Sequence, residues 1–209
     1  MDPTPRRFPV FALGSVLFPH AVLPLQVFEE RYLRMMDDVM AGDGSFGVVL
    51  IERGSEVGGG DHRFDVGTVA QVVRVGRLDD SRLAVVAMGR ARLRMIRWLP
   101  DEPYPQADVV EIPEIAPHGD HAALLEAARQ RYRRTMALAS EMGVDVGVAD
   151  PDLPEDPAEA GWHLVDSAPI EQLDRQRLLE ESDPVARLEM LLRLLDDRAT
   201  LLEARLGGV

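Results

Sequence analysis

The sequence contains no cysteine and no lysine, so all 23 of its basic residues are arginines. The lack of cysteine excludes disulfides, thiolate catalysis and cysteine-based zinc sites. The lack of lysine excludes a Walker-type phosphate loop, a Ser–Lys protease dyad and a pyridoxal Schiff base, because each of these needs that side chain. GC-rich codon usage is the alternative explanation for arginine-only composition, but the exclusions hold whatever its cause.

Long hydrophobic segments are also absent. No segment reaches the roughly 18 consecutive apolar residues that a membrane-spanning helix requires. The first residues, Met1–Arg7, are not followed by the apolar core of a signal peptide, because Pro9, Pro19 and Pro24 interrupt the next segment. We therefore expect a cytoplasmic protein with no membrane partner.

Acidic residues outnumber basic ones, and the formal net charge is −13. Residues 1–116 carry 13 arginines and 17 acids, a net charge of −4, whereas residues 117–209 carry 10 arginines and 19 acids, a net charge of −9. An acidic protein repels nucleic-acid backbones, so we expect no nucleic-acid partner. Solubility is the alternative explanation for the charge.

Residues 17–32 join a strand pattern to a helix pattern. Apolar residues alternate over 22–27, and the period of two predicts a strand. Pro19 and Pro24 lack a backbone donor, which favours an edge strand or a turn. A helix that ends near Gly42 is predicted next, because apolar residues then recur at helical spacing, at Phe28, Tyr32, Met35, Met36 and Val39.

Six sequence blocks carry a resemblance to a known family: Phe8–Gly14, Val16–Pro19, Leu23–Tyr32, Phe46–Ile51, Val66–Ala70 and Gly89–Arg94. Their order and spacing resemble the Lon N-terminal (substrate-binding) domain family, in its stand-alone bacterial form without ATPase and protease domains. In that family, Gly often follows the Phe-Pro pair and Pro often follows the Phe-Glu pair. His20 and Glu30 occupy those positions here.

The predicted fold class is α+β with two subdomains. Several short strands separated by turns over 8–115 suggest a small β-barrel with one inserted helix, and the resemblance implies a PUA-like barrel. Residues 120–206 have helical periodicity, with a cap and first-turn proline at Asp183-Pro184. In the last helix Leu194 and Leu201 widen a leucine stripe, which predicts contact with two neighbours.

Three other features have functional and structural interpretations. His118 and His121 with Asp120 could bind a metal, but a polar linker explains them better. The glycine-rich segment 53–63 is followed by strand-like sequence, which favours a loop over a phosphate cradle. A strand is predicted over Arg82–Trp98, with a bulge or bend at Gly89. Alternation at Arg90, Arg92 and Arg94 predicts a solvated face of this strand, with an acidic partner as the alternative.

The function implied by the resemblance is non-enzymatic recognition of polypeptide segments, without cofactor, metal or catalytic residues. An adaptor for one folded partner protein and an unrecognised hydrolase are the alternatives. We expect a crevice between barrel and helices, since ligands often bind at domain junctions. The candidate peptide-binding residues are Phe18, Pro19, His20, Leu25, Phe28 and Tyr32; burial of the apolar members in the core is the alternative.

Overall fold

The computed structural model describes residues 4–53, 62–79, 82–143 and 148–207. Its strands are β1 (Arg6–Leu13), β2 (Val22–Val27), β3 (Ser45–Arg53), β4 (His62–Asp79), β5 (Arg82–Trp98) and β6 (Gln106–Glu111). Its helices are α1 (Glu30–Ala41), α2 (His121–Glu141), α3 (Pro157–Ser167), α4 (Gln172–Glu180) and α5 (Pro184–Leu206). The predicted glycine-rich loop falls largely on 54–61, outside the described residues.

The chain divides into two compact units, Met1–Glu114 and Ile115–Val209. The first unit contains the described strands and α1, and the second contains α2 to α5. A mixed sheet with segregated helices is an α+β architecture, as predicted. None of the described helices is both long and apolar enough to cross a membrane.

The strands of the first unit form one sheet in the order β2-β5-β4-β3-β1-β6. β1 and β3 are parallel, and the other pairs are antiparallel. The far end of β5 also pairs with β6. The hydrogen-bonded neighbours β1, β3, β4, β5 and β6 therefore form a closed ring, and β2 adds to β5 outside it.

Alternation along β1 divides the apolar side chains between two cores. Phe8, Val10 and Ala12 join a cluster that takes residues from all five strands of the ring. Phe11 and Leu13 point the other way and pack in a second cluster with the buried face of α1. This second core fixes α1, and with it the junction between β2 and α1, against the sheet.

The predicted helix is confirmed, but its buried face does not include Phe28. The helix begins at Glu30, and Glu29 precedes it in an extended conformation (φ −72°, ψ 135°). Phe28 therefore lies outside the helix and is 55% exposed. The buried positions are Tyr32, Met35, Met36 and Val39.

The predicted solvated arginine face is wrong at Arg92, whose side chain has no exposed surface. Arg92 lies opposite Thr68 in the β4–β5 ladder, so both side chains emerge on the same face. There the Thr68 hydroxyl donates to the Leu17 carbonyl at 2.6 Å, and Arg92 Nε donates to Glu114 Oε1 at 2.6 Å. Chain segments before and after these strands therefore cover the face that the alternation assigned to solvent.

The helical unit follows its capping signals. The Asp183 carboxylate accepts hydrogen bonds from the Val185 and Ala186 N–H groups, and Pro184 occupies the first turn of α5, as predicted. Asp156 and Pro157 begin α3 in the same way. The main leucine stripe of α5 is buried at Leu188, Leu191, Leu195, Ala199 and Leu202.

Candidate functional site

A tight turn precedes β2 at Phe18-Pro19-His20-Ala21. The Ala21 N–H donates to the Phe18 carbonyl at 3.2 Å, which closes the turn. His20 has φ 66°, the left-handed conformation that a type II turn requires at its third residue, and Pro19 suits the second. Glycine is the residue best adapted to the third position, so the histidine there carries a backbone cost.

The turn lies directly on β5 at Gly89. The His20 N–H donates to the Gly89 carbonyl, and the Gly89 N–H donates to the Ala21 carbonyl, both at 2.9 Å. The Phe18 carbonyl oxygen lies so close to Gly89 that a Cβ atom there would be 2.0 Å from it. Gly89 thus sets the position at which the chain enters β2.

Replacing His20 with Gly should raise the free energy of unfolding by about 0.5–1 kcal/mol. Relief of the left-handed cost, about 1–2 kcal/mol, exceeds the extra chain entropy of glycine. Urea unfolding of the His20→Gly variant and of the parent protein measures the change. His20→Ala is the control, since it removes the imidazole but retains Cβ, and it should be no more stable than the parent. Equal stability of His20→Gly and His20→Ala would contradict this explanation.

β2 is the terminal strand of the sheet order, with β5 on one side and no strand on the other in the described part of the chain. Leu23 and Leu25 are partly buried and pack on the core beneath α1. Val22, Pro24 and Gln26 alternate with them and are exposed. A strand edge of this kind has unpaired backbone groups available for a further strand.

A concave region that we call the edge pocket lies where β2 meets α1. Its volume is about 180 Å³. The lining comes from β1, β2 and the β2–α1 junction, and consists of Phe11, Leu13, Pro24, Leu25, Gln26, Val27, Phe28, Glu29 and Tyr32. Phe28 is its most exposed large apolar side chain. Apolar walls beside an open strand edge can receive the side chains of an extended peptide.

Aromatic stacking and an ion pair fix one wall of the edge pocket. The Tyr32 ring stacks on Phe11 with centroids 3.8 Å apart and an interplanar angle of 9°. The Arg31 guanidinium lies 4.5 Å from the Tyr32 centroid, and its Nε donates to Glu29 Oε2 at 3.1 Å. Burial raises the pKa of the Tyr32 phenol, while Arg31 opposes this rise. Tyr32 therefore remains a neutral, rigid wall residue near neutral pH.

The structure separates the six predicted peptide-binding residues into two groups. Leu25, Phe28 and Tyr32 line the edge pocket. Phe18 and Pro19 are buried, and His20 is partly exposed; these three form the turn before β2. Peptide binding at all six stays a prediction.

Sequence reasoning did not assign Phe11 and Leu13 of β1 to the site, although both line the edge pocket. They lie within the Phe8–Gly14 block, where alternation predicts two different faces but does not identify the neighbour of each face. Their proximity to Tyr32 arises only when α1 packs back across β1. A pattern confined to one strand contains no signal for that long-range contact.

The polar-linker interpretation agrees with the position of His118, which lies in the exposed segment before α2, but it is wrong for His121. His121 begins α2 and is buried, and burial together with the nearby Arg187 lowers its pKa. His118 Nε2 lies 3.2 Å from Asp183 Oδ2 at the start of α5. In the part of the chain that the structure describes, no three His, Cys, Asp or Glu side chains are grouped as a metal site would need.

Comparison with known proteins gives a consistent result. Residues 7–197 match the model of the ATP-dependent protease La (LON) substrate-binding domain. The Lon protease of Cytophaga hutchinsonii is 30% identical over 96% of this chain, and Lon protease 2 of Desulfotalea psychrophila is 28% identical over 90%. The chain spans about a quarter of the length of these curated relatives.

Solved structures agree with the sequence match. A Lon N-terminal domain protein from Xanthomonas campestris is similar over 90% of this chain and 98% of its own, with a TM-score of 0.65 and 27% identity. The N-terminal domain of Mycobacterium avium complex Lon protease has the same TM-score over 92% of this chain and 99% of its own, and at 17% identity it supports the fold alone. The family match covers most of the residues in both units, and the chain belongs to the LON substrate-binding domain family.

Proposed function

We propose that the chain is a non-enzymatic recognition module that binds exposed polypeptide segments at the free edge of β2. The observation that carries the proposal is the edge pocket itself, a largely apolar cavity beside the edge of β2 that no described strand pairs with. Membership of a substrate-binding domain family supports the same chemistry. Main-chain hydrogen bonds would provide affinity, and the pocket would select apolar side chains.

The proposed pose places an extended peptide antiparallel or parallel to β2. Its inward side chain would enter the edge pocket between Phe28 and Tyr32, where the stacked Phe11 ring prevents collapse of the wall. Phe28 is already exposed in the free protein, so contact with it requires little rearrangement. The volume of about 180 Å³ suits one or two apolar side chains rather than a whole folded surface.

We further propose that the closed ring of strands is a PUA-like barrel with α1 as its insertion. The pairing of β5 with both β4 and β6 supports this, as does the core that all five strands of the ring share. The position of α1 between β2 and β3 in the chain is the second support. In this architecture the edge pocket lies on the outside of the barrel, where a peptide has access.

Hydrogen exchange with an unstructured, leucine- and phenylalanine-rich peptide tests the function. We expect slower exchange of the amides at 22–32 when the peptide is present, because added main-chain hydrogen bonds and α1 contacts protect them. Phe28→Ser should abolish this protection. Ile96→Ser is the matched control, since Ile96 is 52% exposed in the same unit and lies outside the edge pocket.

Two outcomes would overturn the proposal. Binding with protection elsewhere in the chain would refute the site while retaining polypeptide recognition. The absence of binding at about 1 mM peptide, where even an interaction of about −4 kcal/mol is detectable, would refute recognition of exposed segments. In that second case, one stoichiometric partner in a crosslinking pulldown would support the alternative, an adaptor for a single folded protein.

A further inference from the structure

α5 carries a second apolar stripe in addition to the buried leucine stripe. Leu194 and Leu201 are seven residues apart and share a face with Asp197 and Arg198, since helix positions i, i+3, i+4 and i+7 are neighbours. Leu201 is 43% exposed. The sequence predicts that this helix contacts two neighbours, and α5 does contact α2, α3 and α4. Beside the second stripe lie the start of α4 and the residues before it.

The second stripe forms one side of a surface groove of about 210 Å³. Pro169 and Ile170, which precede α4, form the opposite apolar side. We call this feature the α4–α5 groove. Its volume lies below the range of about 300–1,000 Å³ that is typical of sites for whole small molecules. A groove of this size suits apolar side chains projecting from a partner polypeptide.

Carboxylates line the α4–α5 groove together with its apolar residues. Glu171, Asp174 and Asp197 line it, against a single cation, Arg198. Asp174 also pairs with Arg177 of the same helix at 2.9 Å, and that arginine side chain is 68% exposed. The groove lies in the half of the sequence with a net charge of −9, so the surrounding field is also negative.

We infer that the α4–α5 groove docks a basic amphipathic polypeptide segment. Apolar side chains of the segment would fill the space between Leu194, Leu201 and Ile170, and its Lys or Arg residues would face the carboxylates. An acidic segment of equal hydrophobicity would meet like charges. This site is separate in residues and in chemistry from the edge pocket, and it goes beyond the proposed function.

The test uses fluorescence anisotropy of the full chain with two labelled amphipathic peptides. Both have the same leucine spacing, and one carries Lys where the other carries Glu. The basic peptide should bind at least about tenfold more tightly, and the difference should shrink at high salt, because exposed charges are screened. Equal affinity for the two peptides would overturn the inference.

Three variants test whether the basic peptide binds in the α4–α5 groove. Leu201→Ser should weaken binding of the basic peptide about tenfold, since it removes apolar contact. Asp197→Arg should weaken this binding about fivefold or more. Glu189→Arg makes the same charge change at an exposed position of α5 outside the groove and is the control. Equal losses from Asp197→Arg and Glu189→Arg would indicate general attraction to the acidic unit and overturn the site.

The proposals for the edge pocket and for the α4–α5 groove can be tested independently. Phe28→Ser alters the edge pocket and should leave binding of the basic peptide unchanged. Loss of basic-peptide binding in that variant would assign the signal to the edge pocket and refute docking at the α4–α5 groove. Because Leu201 is at the surface and Asp197 is exposed, both groove variants should retain the far-UV circular dichroism of the parent.

Discussion

Replacing Gly89 with Ala should destabilise the strand-containing unit by more than about 4 kcal/mol. The new Cβ atom would lie 2.0 Å from the Phe18 carbonyl oxygen and 3.0 Å from its carbon. Both are backbone atoms, so no side-chain rotation can relieve the overlap. Either the turn before β2 or the β5 backbone must move, with loss of the two hydrogen bonds that join Gly89 to His20 and Ala21.

Hydrogen exchange measures the loss of stability in each of the two units separately. Gly76→Ala is the matched control. Gly76 lies in β4, and a Cβ atom there would meet no atom within 4 Å. Its replacement should be neutral or should stabilise by about 0.5–1 kcal/mol, the ordinary gain from removing a strand glycine. Similar protection of the β5 amides in the two variants would show that the turn is not fixed by close approach to Gly89.

The sequence predicts an irregularity at Gly89 but not its partner. A glycine inside an apolar strand indicates a bulge or a close backbone approach, and β5 does gain an extra residue against β4 between Gly89 and Arg92. The approaching atom belongs to Phe18, far away in the sequence. Local patterns identify the need for glycine, whereas only the assembled sheet identifies what approaches it.

Elements with strong local signals were predicted well. The bounds of β5, Arg82–Trp98, agree with the prediction, and so does the start of α5 at its Asp-Pro cap. Helical spacing places Phe28 on the face of Tyr32, two residues before the helix begins at Glu30, because spacing alone does not detect the extended Glu29. Phe28, a candidate site residue from the sequence, therefore lies exposed before the helix and not on its buried face.

Arg92 illustrates the limit of alternation as a guide to burial. The alternation assigns the correct face, but the chain that covers this face comes from Leu17 and Glu114, which lie outside the strand. A charged residue in a strand is therefore an ambiguous signal when its partner is distant in sequence. The contact explains why an arginine is tolerated where no side-chain surface is exposed.

Replacing Glu114 with Ala should destabilise the same unit by about 3 kcal/mol, because the guanidinium of Arg92 stays buried after its carboxylate is removed. Arg92→Met should cost less, about 1 kcal/mol. It removes the buried charge and retains an apolar stem, and the Glu114 side chain, which is 40% exposed, can then be hydrated. Urea unfolding of the two single variants and the double variant measures both costs and their coupling.

The order of these two costs is the decisive result. If the contact contributes only a surface ion pair, Glu114→Ala and Arg92→Met should lower the free energy of unfolding by similar amounts, below about 1 kcal/mol. If Arg92 is buried as a charge, Glu114→Ala should be the more harmful change, and adding Arg92→Met should recover part of its loss.

Arg94→Met is the control, since Arg94 is exposed on the same strand and should change the free energy of unfolding by less than about 0.5 kcal/mol. A greater loss from Arg92→Met than from Glu114→Ala would mean that packing of the arginine stem, and not compensation of its charge, is the main contribution of this contact to stability.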